Sequence, residues 1–169
     1  MFYAANIEKL PAEGLIDLKG PDGDVIPAIE ALGCKSPTIG RACRGGVLEV
    51  FHPAPGHWLV RAPRDQEGPL LTKFQSCPGA ERMLCVAVSD GLVFFRLTGQ
   101  DARHLLAIAS PLDADRVAFL DDGATYTEAF GQRALLVRRP DGFELGFDVS
   151  LQALVADWFS RITGQTTHA

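Results

Sequence analysis

The sequence predicts an α+β fold in which one unit, strand–helix–hairpin–helix, occurs twice. Three observations carry that reading. Leu15–Lys19 leads through Gly20 into a helix pattern from Asp24, and Val93–Thr98 leads through Gly99 into another from Gln100. Each is followed by two extended runs about a tight turn, Pro53-Ala54-Pro55-Gly56 in one copy and Pro140-Asp141-Gly142 in the other. Each copy then closes on one more helix pattern. Mixed segments in this order give largely antiparallel sheets with helices packed on one face.

Residues 1–13 carry little pattern and read as a lead-in, and residues 15–19 read as a strand. Asp24 fits an N-cap, with Pro27 in the first turn and Gly33 just past the end, the usual asymmetry of a short helix. Residues 34–45 mix Gly, Pro, Ser and Arg and read as a loop. Val47–Phe51 and His57–Ala62 form the first hairpin, and a helix pattern follows over roughly 66–76.

Met83–Ser89 and Leu92–Thr98 are continuous apolar runs joined by Ser89-Asp90-Gly91. Strands this apolar are expected to be buried on both faces. Ala102, Leu105, Leu106 and Ala109 then fall at i, i+3, i+4 and i+7 on a helix. Residues 110–131 read as irregular, punctuated by Pro111, Asp121-Asp122-Gly123 and Gly131. Gln132–Arg139 and Phe143–Phe147 make the second hairpin. In the last helix Leu151, Leu154, Val155, Trp158, Phe159 and Ile162 share a face. The expected division is a first half-unit over 1–89, lead-in included, and a second over 90–169, forming one domain. The seam turn at Ser89-Asp90-Gly91 leaves the halves free to share or exchange strands.

Bulk properties narrow the function classes. A chain of 169 residues, 47% hydrophobic and 22% charged, buries a sizeable core without staples. The formal charge is −5, and the longest basic pair is Arg138-Arg139, so no stripe suited to phosphate backbones exists. No apolar run approaches the ~20 residues of a bilayer span, and the N-terminus lacks the pattern of a signal peptide. These readings give an expected cytoplasmic protein with no nucleic acid or membrane partner. Cys34, Cys43, Cys77 and Cys85 form no Cys-x-x-Cys pair and read as reduced structural thiols.

Motifs that carry chemistry are sparse. There is no Gly-x-Ser-x-Gly and no phosphate loop, and the glycines at 20, 23, 45 and 46 read as turns. His52 and His57 flank the first hairpin turn without a third metal ligand in local reach, and His104 reads as a surface or boundary residue. Asp113 and Asp115 follow a helix end and read as solvated acids, although paired carboxylates can do acid–base work when one is desolvated. Trp158 reads as core; Trp58, in a hairpin strand, is open between core and exposed contact.

An ordered set of segments resembles the gamma subunit of heterotetrameric sarcosine oxidase. It comprises Pro55-Gly56-His57-Trp58-Leu59-Val60, Val88-Ser89-Asp90, Leu97-Thr98-Gly99-Gln100-Asp101-Ala102-Arg103, Leu105-Leu106, Pro111-Leu112-Asp113, Ala134–Arg139, Gly142–Leu145 and the Trp158 helix. That family is similar in turn to the folate-binding domain of glycine-cleavage aminomethyltransferases. The resemblance implies a duplicated α+β domain with exchanged strands, in a cytoplasmic assembly that demethylates sarcosine oxidatively. It implies larger alpha, beta and delta-type partner subunits that hold FAD, FMN, NAD and tetrahydrofolate, with no cofactor, metal or catalytic residue in this chain. Two departures stand out: Ser110 occupies a position usually Cys in the family, and Arg116–Phe130 carries extra acids. The corresponding expectations are an accessory subunit whose partner contacts include Trp58, Pro111 and Leu112, or, as the alternative, a stand-alone folate-binding or one-carbon transfer module with Asp113 on the folate.

Overall fold

The structure, a computed structural model, describes residues 3–114, 119 and 121–164. It divides into two units: Ala12–Ser89, called the central unit, and Met1–Pro11 with Asp90–Ala169, called the terminal unit. Each holds a five-stranded antiparallel sheet and two α-helices.

The central unit runs β2 (Gly14–Lys19), α1 (Asp22–Glu30), β3 (Arg41–Gly45), β4 (Leu48–Ala54), β5 (His57–Ala62), α2 (Glu67–Ser76) and β6 (Leu84–Ala87). Its sheet order is β3-β4-β5-β2-β6. Val25, Ala28 and Ile29 line the inner face of α1, and Leu70 and Phe74 that of α2. These pack with Ile16, Leu18, Val50, Trp58 and Val60, the alternate residues of one sheet face. Residues of the other face, Leu15, Phe51, Leu59 and Arg61, are buried too.

The terminal unit consists of β1 (Asn6–Lys9), β7 (Leu92–Thr98), α3 (Ala102–Ala109), β8 (Ala124–Ala129), β9 (Gln132–Arg139), β10 (Gly142–Asp148) and α4 (Gln152–Thr163), in sheet order β1-β7-β10-β9-β8. Leu105 and Leu106 of α3 and Val155 and Phe159 of α4 pack on Phe95, Leu97, Leu136, Phe143, Leu145 and Phe147. Phe159 meets Phe95 at 5.3 Å and Phe130 at 5.2 Å, both edge to face. Such geometry adds about 0.5–1.5 kcal/mol per pair beyond area burial.

Three strands lie where no regular element was expected. β1 sits in the supposed lead-in and pairs with β7, Ile7 opposite Leu97, so residues 1–11 belong with the terminal unit rather than with the first half. β3 lies in the supposed loop 34–45 and β8 in the supposed irregular stretch 110–131. All three are edge strands. An edge strand needs one paired side and little apolar surface, so its sequence carries a weak alternating signal.

Other details differ for equally local reasons. Helix α1 begins at Asp22 behind Pro21, and Asp24 lies inside its first turn. Its carboxylate binds Arg82, with Nε at 2.8 Å, instead of capping the helix. β4 runs on through His52 and Pro53 because an irregularity between Phe51 and Ala54 absorbs the proline. The apolar run 83–89 supplies an edge strand, β6, with Leu84 52% and Val86 42% exposed, so it is not buried on both faces. β7, with neighbours on both sides, buries Val93, Phe94 and Phe95. On α4 Leu154 is exposed, Ala156 and Thr163 are buried, and Trp158 packs half-buried against the core.

Candidate functional site

The segment singled out by sequence follows α3, and its approach is built by backbone constraints. Gly99 has φ +102°, and a Cβ there would stand 2.8 Å from the Ala4 carbonyl oxygen, so a side chain is excluded on two counts. The Asp101 carboxylate accepts from the Ala4 N–H at 2.7 Å, and the Asp101 N–H donates to the Ala4 carbonyl at 3.1 Å. The motif Thr98-Gly99-Gln100-Asp101 thus clamps the chain just ahead of β1 and launches α3.

At the far end of α3 the Ser110 N–H closes the last turn on the Leu106 carbonyl at 2.9 Å. Ser110 is buried; its hydroxyl shares a 3.2 Å hydrogen bond with the Thr127 hydroxyl of β8 and accepts from the Leu112 N–H at 3.2 Å. It fixes the turn that presents Pro111-Leu112-Asp113. Leu112 packs partly on the core, while Pro111 and Asp113 are exposed. Asp115, the second acid of the expected pair, lies outside the described residues, as does His168.

Trp58 is fully buried on the helix-covered face of its sheet. A ring with no exposed surface cannot meet a partner chain, so Trp58 leaves the contact set and joins the core. The two histidines of its hairpin diverge. His52 stacks on Trp58 at 4.2 Å with its Nδ1 at 2.9 Å from the Pro37 carbonyl. His57 Nε2 lies 2.7 Å from Asp17. Burial disfavours the charged form of Asp17, but the hydrogen bonds from His57 and Lys19 outweigh it and hold the carboxyl below the usual range. His104 lies near Tyr3, ring centres 5.7 Å apart.

Burial pushes the Cys34 thiol up to about 11, helped by neighbouring Cys43, and pushes Cys85 up to about 11, helped by Cys77 and Asp17. Thiols so shifted are poor nucleophiles at neutral pH. Among the described residues no group of three or more His, Cys, Asp or Glu side chains is placed to hold a metal ion. No described helix is long and apolar enough to cross a membrane.

Sequence reasoning missed the β6 edge as an exposed surface. Leu84 and Val86 project there, beside an open groove of about 600 Å³ lined by Phe74, Cys77, Met83 and Cys85 among others. Met83–Val88 has no charged residue or proline, the devices that usually blunt an edge, and that absence was readable in the sequence.

No protein-family model and no curated protein matches the sequence. Solved structures do match in shape. A chain of heterotetrameric sarcosine oxidase from Corynebacterium sp. U-96, in complex with pyrrole 2-carboxylate, aligns over 98% of this chain and 86% of its own, with TM-score 0.82 and 19% identity. The likeness is one of fold. Glycine cleavage system aminomethyltransferase T from Bartonella henselae follows, with TM-score 0.69 and 16% identity over 94% of this chain; the alignment spans 46% of that chain. The regulatory subunit of aspartate kinase from Thermus thermophilus aligns at TM-score 0.50 and 12% identity, over 98% of this chain and all of its own. The chain therefore shares the mixed α/β fold of the two proteins that the sequence resemblance pointed to.

Proposed function

We propose that this chain is an accessory, non-catalytic gamma-type subunit of a sarcosine oxidase-like heterotetrameric flavoenzyme. The observation that carries the reading is the near-complete overlap with one chain of such an enzyme, 98% of this chain and 86% of that one. In this reading FAD, FMN, NAD and tetrahydrofolate reside in larger alpha, beta and delta-type subunits, and the assembly is cytoplasmic. The two units are duplicates that have exchanged an edge strand. Support for that lies in their connections: each sheet starts at a strand (β2 or β7) followed by a helix, three strands and a second helix. In each, the remaining edge strand, β6 or β1, pairs beside the first. Pro111 and Leu112 remain the partner contacts, with the exposed β6 edge added to them.

The test is purification of the tagged chain from its native cell. Co-purification of yellow, flavin-containing subunits is the expected outcome; a chain recovered without flavoprotein partners defeats the proposal. The likeness to aminomethyltransferase T favours a second reading, a folate-binding module with Asp113 on the ligand. Tetrahydrofolate binding by the isolated chain, abolished by Asp113→Ala, is the result that would replace the first reading with the second.

A further inference from the structure

The edge strands of the two sheets are defended unequally. β1 carries Glu8 and Lys9, β3 carries Arg41 and Arg44, and β8 carries Glu128. β6, Leu84–Ala87, carries no charge, and its Leu84 and Val86 are 52% and 42% exposed. Charged side chains are what usually keep an edge from pairing with another strand.

The register of β6 on β2 decides which of its peptide groups are open. The Val88 N–H donates to the Leu15 carbonyl at 2.8 Å, and Val86 and Leu84 stand opposite Asp17 and Lys19. Peptide groups alternate in direction along an antiparallel strand. Those of Val88, Val86 and Leu84 therefore turn toward β2, and those of Cys85 and Ala87 turn to the open edge. Cys85 packs on the helix-covered core, so Leu84, Val86 and Val88 share the opposite face.

The neighbours of β6 limit what can complete that edge. The Met83 N–H is already bonded to the Ala80 carbonyl at 3.1 Å. Ser89 leaves the strand for a turn, where its hydroxyl accepts from the Leu15 N–H at 2.8 Å. Cys85 and Ala87 remain to pair. A second copy of β6, antiparallel about a twofold axis at Val86, meets that condition. Cys85 of each copy then lies opposite Ala87 of the other, and the two exchange both backbone hydrogen bonds. Moving the axis to Cys85 would call on Met83, and moving it to Ala87 would call on Ser89. On the exposed face the same register sets Val86 against Val86, and Leu84 against Val88 of the other copy, in the closely spaced positions without hydrogen bonds. No like charges oppose one another along the seam, and the apolar side chains cover each other.

We propose that β6 is a self-association edge, at which two copies of this chain join their central sheets into one antiparallel sheet. This names the occupant of the edge that the accessory-subunit reading counts among its contacts. It is read on the isolated chain, so either proposal can fail without the other. The seam is short, and the dimer is expected to depend on concentration. Sedimentation of the isolated chain at graded concentrations should show a monomer–dimer equilibrium. Val86→Lys places like charges against each other on the axis and should leave only monomer. Val86→Cys brings two thiols together across the axis, with Cα atoms about 4.5 Å apart, within disulfide reach, and mild oxidation should link the copies. Leu84→Cys thiols lie roughly 13 Å apart in this register and should not link. A wild-type chain that stays monomeric up to about 1 mM, a dimer that survives Val86→Lys, or Leu84→Cys linking as readily as Val86→Cys would overturn the proposal.

Discussion

The central and terminal units share one order of connection but solve their interiors and edges differently. The terminal core is built on phenylalanine: Phe95, Phe143, Phe147 and Phe159 are all fully buried, and several meet edge to face. The central core relies on Ile16, Leu18, Val25, Ile29 and Val60 around Trp58 and Phe74. All four cysteines lie in the central unit. At the edges the contrast reverses in polarity. β1 is Asn-Ile-Glu-Lys, with only Ile7 turned into the core, whereas β6 is Leu-Cys-Val-Ala with Leu84 and Val86 outward. Topology therefore tolerates wide changes in core composition, because either side-chain set fills the same layer. Edge chemistry is free to diverge, and it decides which unit leaves apolar side chains exposed at its edge.

The largest expected effect compares the two cores. Phe159→Ala should destabilise the terminal unit by about 4 kcal/mol, since it removes a filled volume and two ring contacts. Phe74→Ala should weaken the central unit by about 3 kcal/mol, and hydrogen exchange of each sheet separately reads both. Equal losses would show that the ring contacts add nothing.

Buried ion pairs come next. Arg61 and Glu49 face each other across β5 and β4 and are both 7% exposed; Arg139 reaches Glu144 at 2.7 Å with 8% and 5% exposure. Glu144→Gln should cost about 3 kcal/mol, because the buried Arg139 guanidinium loses a charged partner, and Glu49→Gln should cost less, because Arg61 keeps Glu13 at 3.2 Å. Replacing both members of either pair with apolar residues of similar volume should restore most of that, as measured by chemical denaturation. A double replacement as damaging as the single one would show that the pair stabilises through its charges.

A backbone clash follows. A Cβ on Gly142 would collide with the Leu97 carbonyl oxygen, so Gly142→Ala should cost about 2 kcal/mol. The central hairpin has its glycine one step earlier, Gly56 at φ +63° in the turn itself, where the constraint is backbone conformation instead.

Charge titration gives a smaller difference. Asp17 has its pKa lowered in the folded chain, so it binds protons less readily than in the unfolded chain. Its contribution is therefore present above the unfolded value of about 3.9 and is lost as pH falls through the lower folded value. Asp17→Asn should remove about 1 kcal/mol at pH 7 and flatten the acid limb of the stability curve below pH ~4. Arg96 likewise holds the carboxyl of Asp141 low, but that pair is exposed, and Asp141→Asn should leave the acid limb nearly unchanged. The smallest effect belongs to Ser110→Cys, which installs the residue usual in the resembling family. A thiol is a weaker hydrogen-bonding group toward Thr127 and the Leu112 N–H, so a loss of about 0.5–1 kcal/mol should appear in thermal unfolding.

Of the candidate site, the loop Pro111–Asp113 was legible because the helix pattern ahead of it stops at Ala109 and proline follows. The exposure of β6 was half legible: its lack of charge stood in the sequence, but whether that meant burial or an open edge did not. The fate of Trp58 was illegible, since alternation along a strand gives two faces without saying which is covered.

Local pattern alone was enough for the two hairpins and the helices α3 and α4. Their periods and turn residues act over a few positions, and packing later agreed with them. What the tertiary structure decided were the strands β1, β3 and β8, the capture of Asp24 by Arg82, 58 residues away, and the pairing of buried charges across hairpins. β1 and the Asp24–Arg82 pair depend on partners distant in sequence, whereas β3 and β8 pair with the strand that follows each and carry too weak a side-chain pattern of their own to announce it. A short polar strand becomes a strand only when a neighbour supplies the hydrogen bonds that its own side chains do not announce.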